Sequence, residues 1–127
     1  MASAVLDASA LLALIRGEAG ADTVAACLSQ AVISTVNQAE VQTKLVLAGV
    51  EEQLAWWHIA EAGCPAIPFD EEQARVAGGL VKATRPLGLS LGDRACLALA
   101  IQRQSTVYTT NHAWQDLDLG IQVEVIR

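Results

Sequence analysis

What the 127-residue chain lacks narrows its reading first. It has no surplus of basic charge: Lys and Arg number 8 against 14 Asp and Glu, a formal net charge of −6. That argues against tight, non-specific nucleic-acid binding, which leans on basic patches. It leaves room for a site where acids hold a cation and a few arginines meet phosphates. There is no CxxC pair. Cys27, Cys64 and Cys96 are odd in number and far apart, as in a reduced, cytoplasmic chain with three core-like thiols. The N-terminus has neither a basic n-region nor a long apolar stretch, so no signal peptide is expected. No apolar run reaches membrane-spanning length, and no membrane partner is expected. His58 and His112 lack zinc-ligand spacing, although His112 stays open as a site-lining residue. There is no P-loop, Gly88 and Gly92 make no dinucleotide fingerprint, and Ser9 has no nucleophile-elbow context. Repeats, low-complexity tracts and linkers are missing too.

What is present is apolar: 53% hydrophobic residues against 17% charged, the balance of a globular chain. Residues 1–127 are expected to form one domain. So apolar a composition in a small chain also favours a partner interface. Strand and helix patterns alternate. Strands are expected over residues 3–7, 31–34, 106–109 and 122–126, with a short edge strand within 64–68. Helices are expected over 8–16, 19–29, 35–48, 50–62, 70–84 and 90–104, with a helical turn over 111–117. Thr35 or Ser34 is expected to cap the third helix, and Thr35-x-x-Gln38 fits a capping box. Gly78-Gly79 inside the 70–84 helix costs roughly 1 kcal/mol per glycine, which close packing against another helix would explain. Neighbours on a helix point about 100° apart, so one of Trp56 and Trp57 is expected in the core and the other at a surface, unless the core stripe is wide. The alternation predicts βαβ units, an α/β fold with a mainly parallel sheet.

The acids fall in a pattern on that frame. Asp7 ends the first strand, Glu40 sits early in the helix after the second, and Asp93 opens a late helix. Asn111 and Asp116 follow the strand through Tyr108. Each has a bland role: Asp7 as a helix cap, Glu40 as an i,i+4 partner of Lys44, Asp93 in a Ser90-x-x-Asp93 capping box, Asn111 as a cap and Asp116 as a solvated loop acid. Together they share the carboxyl edge of the sheet. Crowded carboxylates raise one another's pKa, and Mg²⁺ or Mn²⁺ relieves the repulsion through hard oxygen ligands.

Four ordered stretches then resemble a known family: Val5-Leu6-Asp7-Ala8-Ser9, Ser34-Thr35-Val36-Asn37-Gln38-Ala39-Glu40-Val41, Leu89-Ser90-Leu91-Gly92-Asp93-Arg94-Ala95-Cys96 and Val107-Tyr108-Thr109-Thr110-Asn111-His112-Ala113-Trp114. The chain resembles a PIN domain over essentially its full length, and is most similar to VapC-type toxins of bacterial toxin–antitoxin pairs. The resemblance implies a three-layer α/β/α fold and a metal-dependent endoribonuclease leaving a 5′-phosphate and a 3′-hydroxyl. It implies a cognate VapB-like antitoxin, an RNA substrate and a homodimer. Asp7, Glu40 and Asp93 match the family's acidic positions, and Ser9 its small polar residue after the first acid. Asn111 stands where the family commonly has Asp, so Asn111 or Asp116 is expected to complete the site, with Arg94 as a candidate phosphate contact. Val24, Leu28, Val46, Leu47 and Leu54 are candidates for a groove taking an antitoxin helix. Two alternatives stay open: a PIN-like scaffold that has lost catalysis, and an RNA-processing nuclease without an antitoxin. Receiver domains and haloacid-dehalogenase phosphatases need acid patterns that Asp7-Ala8-Ser9 does not meet.

Overall fold

Short apolar runs ending in a polar residue become the strands. The structure, a computed structural model, describes residues 3–127. Strands β1 (Ala4–Leu6), β2 (Ala31–Ser34), β3 (Ala66–Ile67), β4 (Thr106–Thr109) and β5 (Val123–Val125) form one sheet in the order β3-β2-β1-β4-β5. Every pairing is parallel, so the sheet expected to be mainly parallel is wholly so. Side chains alternate between the two faces of a strand, and the central β1 serves both. Ala4 and Leu6 pack beneath α1 (Ala8–Arg16), α2 (Ala21–Cys27), α3 (Thr35–Leu47) and α4 (Glu52–Ala62). Val5 points the other way, with Val32 and Val107, into a core closed by α7 (Leu91–Arg103) and Trp114. On that side α5 (Glu71–Gly79) packs against α7. Helices thus cover both faces, giving the expected three-layer α/β/α arrangement.

The chain steps outward from β1 to β2 and β3, then returns to lay β4 on the opposite side of β1. Strand order reverses between β1 and β4. Open α/β sheets bind ligands in the crevice outside the carboxyl ends at such a reversal. Asp7 follows β1 and Asn111 lies just past β4, so both arrive there.

Several local expectations change. Of the two candidate caps for α3, Ser34 is the one used: its Oγ accepts the Val36 N–H at 3.2 Å. The Thr35 hydroxyl instead accepts the Phe69 N–H at 3.1 Å, so its oxygen ties in the segment after β3. No helix packs on Gly78-Gly79, because a Cβ at either position would meet nothing within 4 Å. The glycines mark the end of α5, and a separate turn, α6 (Val81–Thr84), follows Leu80. Neither Trp56 nor Trp57 enters the core; they are 47% and 54% exposed. The buried stripe of α4 is Ala55 and Ile59, one turn apart, which turns both indoles outward. Val24, expected at a surface groove, is fully buried, whereas Val46, Leu47 and Leu54 are exposed. Only Cys96 of the three free thiols is fully buried. No helix among the described residues is long and apolar enough to cross a membrane.

Candidate functional site

Asp7 is the most constrained acid. Its N–H donates to the Tyr108 carbonyl at 3.1 Å, carrying the β1–β4 ladder one residue past the strand. That fixes the side chain against the sheet, 6% exposed. Oδ1 accepts from the Ala10 N–H at 2.8 Å, capping α1, and from the Ser9 hydroxyl at 2.7 Å. Oδ2 accepts from the Thr109 hydroxyl at 2.6 Å. The two hydroxyls are themselves aimed: Ser9 accepts the Thr110 N–H at 3.0 Å and Thr109 the Asn111 N–H at 3.1 Å. Burial pushes the Asp7 carboxyl above 3.8, hydrogen bonds from Thr109, Ser9 and Ala10 pull it back, and the charge of Asp93 adds a smaller rise. The expected mutual effect of the acids is thus present at this residue, as a smaller contribution than desolvation.

Glu40 makes no ion pair with Lys44 within 4 Å among the described residues, although the two are one turn apart. Asn37 takes that place. Its Nδ2 donates to Glu40 Oε1 at 2.8 Å and to the Gly92 carbonyl at 2.9 Å, clamping α3 to the start of α7. A Cβ at Gly92 would collide with the Glu40 carboxylate. The close approach that a glycine at 92 permits is thus that of Glu40 itself.

Asp93 sits in the expected capping box of α7. Its Oδ2 accepts the Ser90 N–H at 2.9 Å, and Ser90 Oγ accepts the Asp93 N–H at 3.2 Å. Arg94 turns away from the acids. Its Nη1 donates to the Ala77 carbonyl at 3.0 Å near the end of α5, and its Nε is buried without a partner. Asn111 caps the short 3₁₀ turn His112–Asp116, its Oδ1 accepting the Ala113 N–H at 3.0 Å. Asp116, at the far end of that turn, lines a separate cavity with Ala83, Pro86 and Leu87. A 3₁₀ helix has about three residues per turn, so a residue five positions on points to a different side.

One cleft of about 190 Å³ gathers Asp7, Ser9, Glu40, Asp93 and Asn111, together with Ala8, Lys44, Thr110 and Trp114. Asp116 and Arg94 are outside it. Cys96, buried beneath, has its thiol pushed up first by desolvation and then by the charges of Asp7, Asp93 and Glu40, as convergence of all three carboxylates requires. Asn37, Thr109, Lys44 and Trp114 were not among the site residues expected on sequence. Asn37 had a usable signal, its i,i+3 spacing to Glu40.

Does this donor set fit a metal? Its chemistry does: hard carboxylate oxygens suit Mg²⁺ or Mn²⁺. Glu40 Oε2 and Asp93 Oδ1 have no hydrogen-bond partner among the described residues, and a carboxylate desolvated as Asp7 is gains from a nearby cation. Its present spacing is looser. Among the described residues no three His, Cys, Asp or Glu side chains stand close enough to hold an ion. Each acid is drawn toward its own hydrogen-bond donor, Asp7 to Thr109, Glu40 to Asn37 and Asp93 to Ser90.

Known proteins share this architecture. The chain superposes on VapBC from Salmonella typhimurium, solved bound to DNA, with a TM-score of 0.78 at 17% identity, covering 98% of each chain. VapBC2 from Rickettsia felis, bound to a promoter DNA fragment, gives 0.73 at 16% identity, covering 95% of this chain and 96% of that one. A toxin–antitoxin complex from Klebsiella pneumoniae gives 0.71 at 23% identity, covering 94% and 95%. No curated protein matches by sequence. The family model described as PIN domain matches residues 4–119, the stretch that holds every residue of the acidic cleft, and the chain belongs to the PIN domain family.

Proposed function

We propose that this chain is a divalent-metal-dependent endoribonuclease, the toxin half of a toxin–antitoxin pair. The observation that carries the reading is the convergence of Asp7, Glu40 and Asp93 in one cleft at the strand-order reversal of a PIN fold. These three side chains would hold Mg²⁺ or Mn²⁺. Such an ion, when bound, lowers the pKa of a water and stabilises charge on a phosphate. The protein's own contribution is positioning. Thr109, Ser9 and the start of α1 keep Asp7 in one rotamer, Asn37 holds Glu40 against α7, and Ser90 restrains Asp93 through one oxygen only. Glu40 Oε2 and Asp93 Oδ1, which have no hydrogen-bond partner among the described residues, are the oxygens left to meet such an ion.

An antitoxin partner is supported by the surface beside the cleft. Gln42, Thr43, Val46, Leu47, Glu52 and Trp56 line adjoining hollows along α3 and α4. A further hollow shares Thr43 with them, and Glu40 and Lys44 with the cleft. Val46, Leu47, Leu54, Trp56 and Trp57 on α3 and α4 are exposed, and apolar exposure of this kind also favours a homodimer. The solved relatives are described as VapBC and toxin–antitoxin complexes.

The direct test incubates the purified chain with single-stranded RNA and Mg²⁺ or Mn²⁺. Cleavage is expected with either ion, none in chelator, and none by Asp93→Asn. A folded wild-type chain that leaves RNA intact with both ions sinks the reading. The looser spacing of the acids favours one competitor, a PIN-fold scaffold without catalysis, and that result would select it.

A further inference from the structure

The cleft holds two groups that the proposed metal chemistry does not use. Lys44 is exposed, lines the cleft, and has no carboxylate within 4 Å among the described residues, even with Glu40 one turn before it. Asn111 lines the same cleft. Its Oδ1 is committed to the Ala113 N–H, which fixes the amide orientation and leaves Nδ2 with no acceptor among the described residues. A backbone N–H needs an acceptor, so the reverse orientation would set two donors against each other. The fourth corner of the cleft therefore presents a hydrogen-bond donor, where an oxygen ligand was expected.

Resting on the nuclease reading above, we propose that Lys44 and Asn111 Nδ2 form the anchor for a phosphate of the RNA strand. In this assignment the acids hold one cation, and the ammonium and amide meet phosphate oxygens. The chemistry is complementary. An ammonium and an NH₂ group bring only donors, and non-bridging phosphate oxygens bring only acceptors. Location matters as much. In a chain of net charge −6, RNA cannot be gathered by a broad basic field. A single cation set within the acidic cleft instead acts locally. Arg94, the phosphate contact expected on sequence, is bound to Ala77 and outside the cleft.

The test is binding of a fluorescently labelled single-stranded RNA oligonucleotide to the full chain in chelator, where cleavage does not run, at several salt concentrations. Lys44→Met keeps an exposed helix position helical, and circular dichroism checks the fold. It is expected to weaken binding about fivefold and to flatten the log Kd–log salt slope by about 0.7, the value for one phosphate contact on a single strand. Lys44→Arg is expected to keep the wild-type slope. Asn111→Asp, which exchanges the free donor for an anion, is expected to weaken binding without the same slope change. With Mg²⁺ present, Lys44→Met should raise KM more than it lowers kcat. Wild-type affinity and slope in folded Lys44→Met overturn the inference, as does a wild-type chain that binds no RNA. A wild type that binds with a Lys44-dependent slope but never cleaves removes the nuclease reading and leaves the anchor standing.

Discussion

Two corners of the cleft are built in opposite ways. At the Asp7 corner both carboxylate oxygens are engaged, by Ala10, Ser9 and Thr109, and the residue is sealed against the sheet. At the Asp93 corner one oxygen is held by Ser90, the other has no partner among the described residues, and the side chain is only half-buried. The contrast comes from where each sits. Asp7 continues a central strand, where the neighbouring β4 and the start of α1 supply donors; Asp93 opens a helix at the rim. A buried carboxylate without donors would be costly, so the inner acid is built rigid. The outer acid is left adjustable, as a ligand that must close on a cation should be.

Removing the inner acid should, like Asp93→Asn, have a larger effect than any change to the groups around it. Asp7→Asn is expected to cut RNA cleavage by at least about 100-fold, a loss typical of an essential group, measured as kcat/KM on an RNA oligonucleotide. It should also change stability with pH in a set direction. The folded-state carboxyl of Asp7 is raised above its ordinary 3.8, so the folded protein holds that proton more tightly than the unfolded chain. Wild-type stability therefore falls as pH rises above 3.8 through the raised value. The melting temperature of metal-free Asp7→Asn should gain on that of wild type across this window. A constant difference would mean that folding does not raise the Asp7 pKa.

Gly92→Ala comes next. Its methyl group meets the Glu40 carboxylate, the far end of a flexible and half-buried side chain, so Glu40 is expected to swing off α7 at little cost in stability, with cleavage lost. Wild-type cleavage by folded Gly92→Ala would show that the resting place of Glu40 does not matter. Thr109→Val keeps the shape and deletes the donor to Asp7 Oδ2. About a 10-fold loss of activity is expected, the low end for supporting residues of metal sites. The acid limb of its pH–rate profile should move to higher pH, because a lowering contribution has been removed. Ser90→Ala, the rim counterpart, should cost about 1 kcal/mol of stability as a lost helix cap while cleavage changes by less than about threefold. Equal activity losses in Thr109→Val and Ser90→Ala would erase the distinction between the two corners.

The sheet and the gathering of Asp7, Glu40 and Asp93 at one edge were legible because both follow from chain direction. Apolar runs give strands, and parallel strands with helical crossovers bring their carboxyl ends to one edge. What stayed hidden depends on facing. Asp116 is in the right stretch but on the wrong side of a 3₁₀ turn. One of Trp56 and Trp57 looks like core until the buried pair Ala55 and Ile59 is known. Arg94 adjoins Asp93 in sequence, yet the end of α5 supplies a carbonyl that draws it off. Thr109 reads as one more β-branched strand residue, and only pairing with β1 reveals its hydroxyl as the donor to Asp7.

That pairing has a consequence for how the protein is made. Thr109 and Asp7 are 102 residues apart, and the two strands that flank β1 are the second and the fourth. During synthesis from the N-terminus, Asp7 exists long before Thr109 does. A growing chain can pair β1 with β2 early, but the inner corner of the cleft stays open until β4 arrives and docks on the other side. Contacts between residues so distant in sequence form late and slowly. The acidic cleft therefore assembles only after β4 has been made, and a copy on the ribosome that has not yet reached Thr109 carries Asp7 with its Ser9 and Ala10 donors but without the one that holds Oδ2.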